Sequence, residues 1–152
     1  MNSRKIFLDT DVIIDLLTER APHFIGAAKL FLYIQNREIL AFTSPVVFAN
    51  LSYLLSKRFD KHRSVDLLRK LNTLVKILAV DQKIIEMALA SDFTDSEDSI
   101  QYYTAVENHL EILITRNVQD YHLAKIQIFR PMEFLAQLDE KGNQTAENSE
   151  GK

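Results

Sequence analysis

Apolar residues recur along the chain in two alternating rhythms. "KIFLD" (5–9), "ILAFT" (39–43), "KILAV" (76–80), "EILIT" (111–115) and "IQIF" (126–129) are short, nearly continuous apolar runs with the length and β-branched content of buried strands. The segments between them carry apolar residues at three- and four-residue spacing instead. "HFIGAAKLFLYIQN" sets Phe24, Ala27, Ala28, Phe31 and Leu32 on one stripe, and "VIIDLL", "VVFANLSYLLSKRF", "SVDLLRKLNTLV", "QKIIEMALAS" and "SIQYYTAVENHL" also read as helices. "PMEFLAQL" opens on Pro131, a residue favoured at the first helical position. Strands that are apolar throughout must be covered on both faces, so the alternation predicts an α/β fold whose central parallel sheet of four to five short strands lies between two layers of helices. There is no internal repeat, and one domain is expected over 1–138. The closing "DEKGNQTAENSEGK" (139–152) has no apolar period and is expected to be a disordered tail.

The chain has 152 residues, of which 47% are hydrophobic, enough to build a sizeable core. It has no cysteine, which excludes disulfides and thiolate zinc sites, and His23, His62, His109 and His122 nowhere pair at ligand spacing. Any bound metal is therefore expected on oxygen ligands. No apolar run approaches the ~20 residues of a membrane span, so no membrane is expected as partner and the expected location is the cytoplasm. The net charge of -3 argues against a protein that coats nucleic acid, but Lys57, Arg58, Lys61, Arg63, Arg69 and Lys70 crowd into residues 56–70 against only Asp60 and Asp66. Such a run is either a solvated helix face or a patch facing phosphates.

The sharpest chemical signal is acidic. In "KIFLDTDVIIDLL" the first strand ends on Asp9, with Asp11 and Asp15 close behind, and a carboxylate at the edge of a core needs hydrogen bonds, a counter-charge or a metal. Ligands of such sheets bind beyond the carboxyl ends of the strands. Asp9 stands there, as does Thr115 at the end of the fourth strand with Asn117 just beyond, while Asp98 opens the helix that leads to that strand. Carboxylates gathered in one crevice repel, and either share protons or bind a cation; an all-oxygen set favours Mg²⁺ or Mn²⁺. Each acid also has a plainer role. Asp9 can cap the first helix, and Asp98 can complement a helix dipole behind a cap at Asp95 or Ser96. Asp11 and Asp120 can support the site or cap a turn, and Asp15 reads as solvated or locally bonded.

"FLDTDVIIDLL", the helix "SPVVFANLSYLL" and then "SDFTDSEDSIQYYTAVENHLEILITRNVQDY" together resemble the PIN-domain family, and in particular its VapC-like ribonuclease toxins. The resemblance runs from Lys5 to Leu138. It implies a three-layer α/β/α PIN-like domain and a magnesium-dependent endoribonuclease, often a homodimer, held in check by a small antitoxin. Carried over by position, Asp9 and Asp98 are the implied metal-binding acids, and Asn117 falls where many relatives have a further acid. Asn50 stands where most active members have glutamate, a departure that removes one charge and a possible base. In the implied site Asn50 and Asn117 orient water and Asp11, Thr115 and Asp120 give support from behind. Lys57, Arg58, Lys61 and Arg63 would guide the RNA backbone, and Tyr102, Tyr103 or Tyr121 would stack bases unless they pack in the core. Two rivals stand beside this reading. "FLDTDVI" also resembles the start of haloacid-dehalogenase-like phosphatases, but their later Gly-Asp motif is missing, since Gly26, Gly142 and Gly151 are not followed by Asp. The other rival, prompted by Asn50, is a catalytically silent PIN module that binds RNA or a protein partner.

Overall fold

The computed structural model describes residues 4–151; Met1–Ser3 of the expected domain and Lys152 of the expected tail lie outside them. The order is β1 (Arg4–Leu8), α1 (Thr10–Leu17), α2 (Phe24–Gln35), β2 (Ile39–Thr43), α3 (Pro45–Ser56), α4 (Lys61–Leu74), β3 (Val75–Ile77), α5 (Gln82–Ala90), α6 (Ser96–Glu107), β4 (Ile112–Ile114), a 3₁₀ turn (Val118–Tyr121), β5 (Gln127–Phe129) and α7 (Pro131–Glu150). The five strands form one parallel sheet in the order β3-β2-β1-β4-β5. This is the α/β architecture expected from the strand and helix rhythms.

The two-residue period of β1 sorts its side chains between two cores. Ile6 and Leu8 pack with Val12, Ile13, Leu30, Phe31, Val47, Leu51 and Phe134, from helices α1, α2, α3 and α7. Phe7 points the other way, towards Tyr102 and Ala105 of α6, Leu113 and Tyr121. All three β1 residues are fully buried, which is why this strand reads as apolar without alternation. Side-chain caps then set where the helices start. Ser44 accepts the Val47 amide, Asp60 that of Arg63, Asp81 that of Ile84, and Asp95 that of Asp98.

One expectation needs correction. Residues 139–150 are not a disordered tail but the continuation of α7, which runs to Glu150. Leu138 is the last residue packed against the core, and the residues described after it are exposed. The extra turns have no apolar stripe because they cover nothing, so a reading based on hydrophobic period misses them.

The position of β1 matters most for function. β2 lies on one side of it and β4 on the other, so the chain reverses its direction of sheet growth between these strands. Loops leaving the carboxyl ends of β1 and β4 diverge there and leave a crevice.

Candidate active site

Asp9 stands at that switch point. Its amide donates to the Ile114 carbonyl at 3.0 Å, extending the β1–β4 ladder by one residue. Its backbone is still extended while Thr10 begins α1, which makes Asp9 the helix cap. One carboxylate oxygen, Oδ1, accepts the Thr10 amide at 2.8 Å, and the other, Oδ2, accepts the Thr115 hydroxyl at 3.1 Å and the Tyr121 hydroxyl at 2.9 Å. Capping and crevice chemistry therefore coexist, each using one oxygen.

Asp98 reaches the same place from α6. With Asp95 capping the helix, Asp98 falls in the first turn, and its Oδ1 lies 3.4 Å from the Tyr121 hydroxyl. Tyr121 thus stands between the two aspartates with a single proton to give. The shorter contact, to Asp9, takes it, and the contact with Asp98 becomes a hydrogen bond only when Asp98 itself is protonated. Thr115 faces the same shortage: its hydroxyl touches Oδ2 of both Asp9 and Asp11, at 3.1 and 3.2 Å, while accepting the Asn117 amide.

The electrostatics follow from that shortage. Burial, reinforced by the Asp11 charge and to a lesser degree by Asp98, raises Asp9 from the ordinary 3.8 to about 7. Burial, followed by Asp95, Asp120 and Glu97, raises Asp98 to about 7 as well. The Tyr121 hydroxyl is pushed far up, by burial first and then by Asp9 and Asp98, so it keeps its proton. Ion pairs of the described residues, such as Arg116–Asp15 and Lys83–Glu107, leave Asp9 and Asp98 without a cationic partner.

A pH dependence results. Both aspartates bind a proton more tightly in the folded chain than in the unfolded one, so the native state takes up protons between pH 3.8 and about 7. The stability they contribute is complete below the lower value and lost as pH rises through the upper. In EDTA the melting temperature is expected to fall from about pH 5 to about pH 8. Asp9→Asn should flatten that slope and raise the melting temperature at the alkaline end, where it relieves repulsion. A scanning-calorimetry series in which wild type and Asp9→Asn change in parallel would contradict this account.

The other expected site residues divide into groups. Asp11 turns towards the loop after β4, where its Oδ2 accepts the Arg116 amide at 3.0 Å and the Asn117 side-chain amide at 3.2 Å. Burial raises its pKa, and the Arg116 amide and charge, then the Thr115 hydroxyl, pull it back. Asp11, Thr115 and Asn117 therefore lie around Asp9 as a bonded group, while Asp120, on the 3₁₀ turn, acts on Asp98 through its charge alone. Asn50 does not contact Asp9 or Asp98; its side-chain amide donates to Glu97 Oε1. Lys57, Arg58, Lys61 and Arg63 gather, exposed, where α3 gives way to α4. Lys57 sits over the Tyr53 ring at 4.5 Å, and Arg58 and Arg63 each lie 5.9 Å from the Phe59 ring.

Several residues take roles that the sequence did not suggest. Tyr121 is buried with its hydroxyl on Asp9, and Tyr102 is buried with its hydroxyl accepting the Lys125 amide, so neither presents a face for a base. Tyr103 is half-buried against Phe93 and Tyr102, whereas Tyr53 is 60% exposed. Asp15 is neither solvated nor locally bonded: it is 1% exposed and lies 2.6 Å from Arg116 Nε. Arg116 Nε makes no hydrogen bond, so its contact with Asp15 Oδ2 is an ion pair, and Asp15 Oδ1 has no hydrogen-bond partner either. A second polar residue in the helical stripe of α1 was the available signal, since Asp11 and Asp15 are four apart and share a face.

The donors fit a hard divalent cation in part. Two carboxylates distant in sequence meet at one hydroxyl, and the buried Oδ1 of Asp11 has no hydrogen-bond partner. A third acid is not in place: among the described residues no three His, Asp or Glu side chains stand together as a ready metal site. Asp11 is turned onto the β4 loop, and Glu97 onto Asn50.

Comparison with known proteins bears on the same residues. The family model of the PIN domain matches residues 5–119, a span that includes Asp9, Asn50, Asp98, Thr115 and Asn117. The chain belongs to the PIN-domain family. This PIN domain is 26% identical over 140 residues to Ribonuclease VapC1 of Aquifex aeolicus, a match covering 88% of the chain and 95% of that protein. Its fold resembles VapBC-1 from nontypeable Haemophilus influenzae, with a TM-score of 0.66, 18% identity and coverage of 84% of this chain and 98% of that one. A toxin-antitoxin complex from Klebsiella pneumoniae gives 0.65 at 22% identity, covering 83% and 97%. Mycobacterium tuberculosis VapC20, a sarcin-ricin loop cleaving toxin, gives 0.59 at 19% identity, covering 71% and 86%. These relatives place the PIN domain beside the VapC-like branch.

Proposed function

We propose that this PIN domain is a VapC-type endoribonuclease that uses Mg²⁺ or Mn²⁺ held by Asp9 and Asp98. The observation that carries the reading is the meeting of these two acids on the Tyr121 hydroxyl with no Lys or Arg ion-paired to either among the described residues. A bound Mg²⁺ supplies a lowered pKa for attacking water, orientation for in-line attack on phosphorus and charge neutralisation at the leaving oxygen. The chain's own residues do the rest. Tyr121 and Thr115 fix Asp9 Oδ2 by hydrogen bonds, so the carboxylate enters the crevice in one orientation. Asp11, anchored by Arg116 and Asn117, sets the path of the loop that carries Thr115. Asp120 adds negative charge beside Asp98. The Asn117 amide steadies Asp11 and the Asn50 amide steadies Glu97, neither adding charge.

RNA would arrive along α3. Lys57 is seven residues past Asn50 and therefore on the same helix face, about 10 Å further along the axis. With Tyr53 beneath it, that face offers a stacking ring and cations for a single strand. Products with 5′-phosphate and 3′-hydroxyl ends belong to this reading, as do a cytoplasmic location, a homodimer and a small antitoxin. The VapBC complexes among its structural relatives support the antitoxin. No helix of the described residues is long and apolar enough to cross a membrane. Exposed Ile25 and Leu32 on α2 and Met132 on α7 supply apolar surface for a protein partner.

The test is cleavage of a panel of structured and single-stranded RNAs. Cutting with Mg²⁺ or Mn²⁺ that stops in EDTA is the expected result. RNA binding without cutting under every metal would instead identify the silent module that the amide at Asn50 allows.

A further inference from the structure

We infer that Glu97 is a positioning residue beside the crevice, an acid that α6 delivers and the Asn50 amide holds. The inference rests on the reading of Asp9 and Asp98 as the ion-holding pair, and it addresses what that pair lacks. Glu97 and Asp98 are consecutive in the first turn of α6, so their Cα atoms are about 3.8 Å apart and their side chains leave the axis about 100° apart. Asp98 takes the direction of Tyr121 and Asp9, and Glu97 takes the direction of α3, where the Asn50 amide binds Oε1. The two acids thus bracket the mouth of the crevice from one turn of one helix.

Stability does not explain the Asn50–Glu97 contact. It joins side chains outside the core, where a single hydrogen bond adds little. The core link between the same two helices is made deeper, by Ser44 donating to Gln101 at 2.6 Å, with both residues fully buried. What the outer contact does is fix a carboxylate. The amide occupies Oε1 alone, among the described residues Glu97 has no Lys or Arg partner, and its charge is felt by Asp98. An amide at position 50 is also what this arrangement requires, because a carboxylate there would stand against Glu97. The negative charge of the site is therefore carried by α6, and α3 supplies the donor that steadies it.

Mn²⁺ binding to the RNA-free protein, read by electron paramagnetic resonance, tests this without relying on cleavage. Glu97→Gln is expected to weaken binding about tenfold, the usual scale for a group that orients a metal's surroundings. Asn50→Glu alone should lower the melting temperature in EDTA, because two carboxylates then meet. The double variant Asn50→Glu/Glu97→Gln restores an amide–carboxylate pair across the same contact, and should recover both the melting temperature and most of the Mn²⁺ affinity. If Asp98→Asn loses Mn²⁺ while Glu97→Gln binds like wild type, Glu97 has no such role and the Asp9–Asp98 reading survives. If Asp98→Asn also binds like wild type, the ion-holding pair falls and this inference with it.

Discussion

Asp98→Asn is expected to lower the rate of RNA cleavage by roughly 100-fold or more, since metal-assisted charge stabilisation is worth several kcal/mol and each 1.36 kcal/mol is tenfold in rate. The substitution keeps the shape of the side chain and its place behind the Asp95 cap. It also stabilises the metal-free chain above neutral pH, because it removes one of two charges that burial disfavours. Loss of activity and gain of stability in one variant is a pattern that misfolding cannot imitate. Mn²⁺ should raise the melting temperature of wild type by mass action and leave Asp98→Asn nearly unmoved. Unchanged cleavage in a variant that melts normally would remove Asp98 from the reaction.

The second large effect lies one layer deeper, at the ion pair between Asp15 and Arg116. Asp15 is 1% exposed and Arg116 is its cationic partner. Arg116→Met leaves a buried carboxylate unpaired, which costs about 3 kcal/mol. For a chain of this size that corresponds to a fall in melting temperature of roughly 6–12 °C. Adding Asp15→Leu removes the stranded charge and should return most of the loss, since breaking a buried pair costs far more than replacing it with apolar groups. The Arg116 backbone amide survives in Met, so Asp11 keeps that hydrogen bond and loses only the guanidinium charge beside it. A melting temperature within about 1 °C of wild type would mean that the pair with Arg116 does not stabilise the fold.

How far the sequence carried can be judged from particular residues. The strands were legible because Ile6, Phe7 and Leu8 are buried on both faces, and burial on both faces leaves an unbroken apolar run. Asp9 was legible for the same reason in reverse, as a charge where the apolar run stops. The convergence of Asp98, Thr115 and Asn117 on the Asp9 region followed from sheet chemistry, since Thr115 ends a strand that pairs with β1. Tyr121 was not legible as a proton-sharing group, because an aromatic residue after a strand packs in a core far more often than it bonds a carboxylate. Glu97 was hidden by its neighbour: two acids in one helical turn look alike until their 100° divergence is seen against α3 and Tyr121. The extra turns of α7 were invisible to an argument from apolar period, since nothing packs on them.

The hydrogen bonds that assemble the crevice close very long loops. Thr115 meets Asp9 across 106 residues, Tyr121 meets Asp9 across 112, and the Arg116 amide meets Asp11 across 105. Closing a loop of that length costs about 4 kcal/mol of chain entropy, and it is recovered only once β4 has docked against β1. Asp9 is made 106 residues before Thr115 and 112 before Tyr121. Until the segment after β4 has emerged and paired, the chain holds scattered aspartates and no crevice. The crevice is thus absent for as long as the ribosome takes to make the residues between Asp9 and Tyr121.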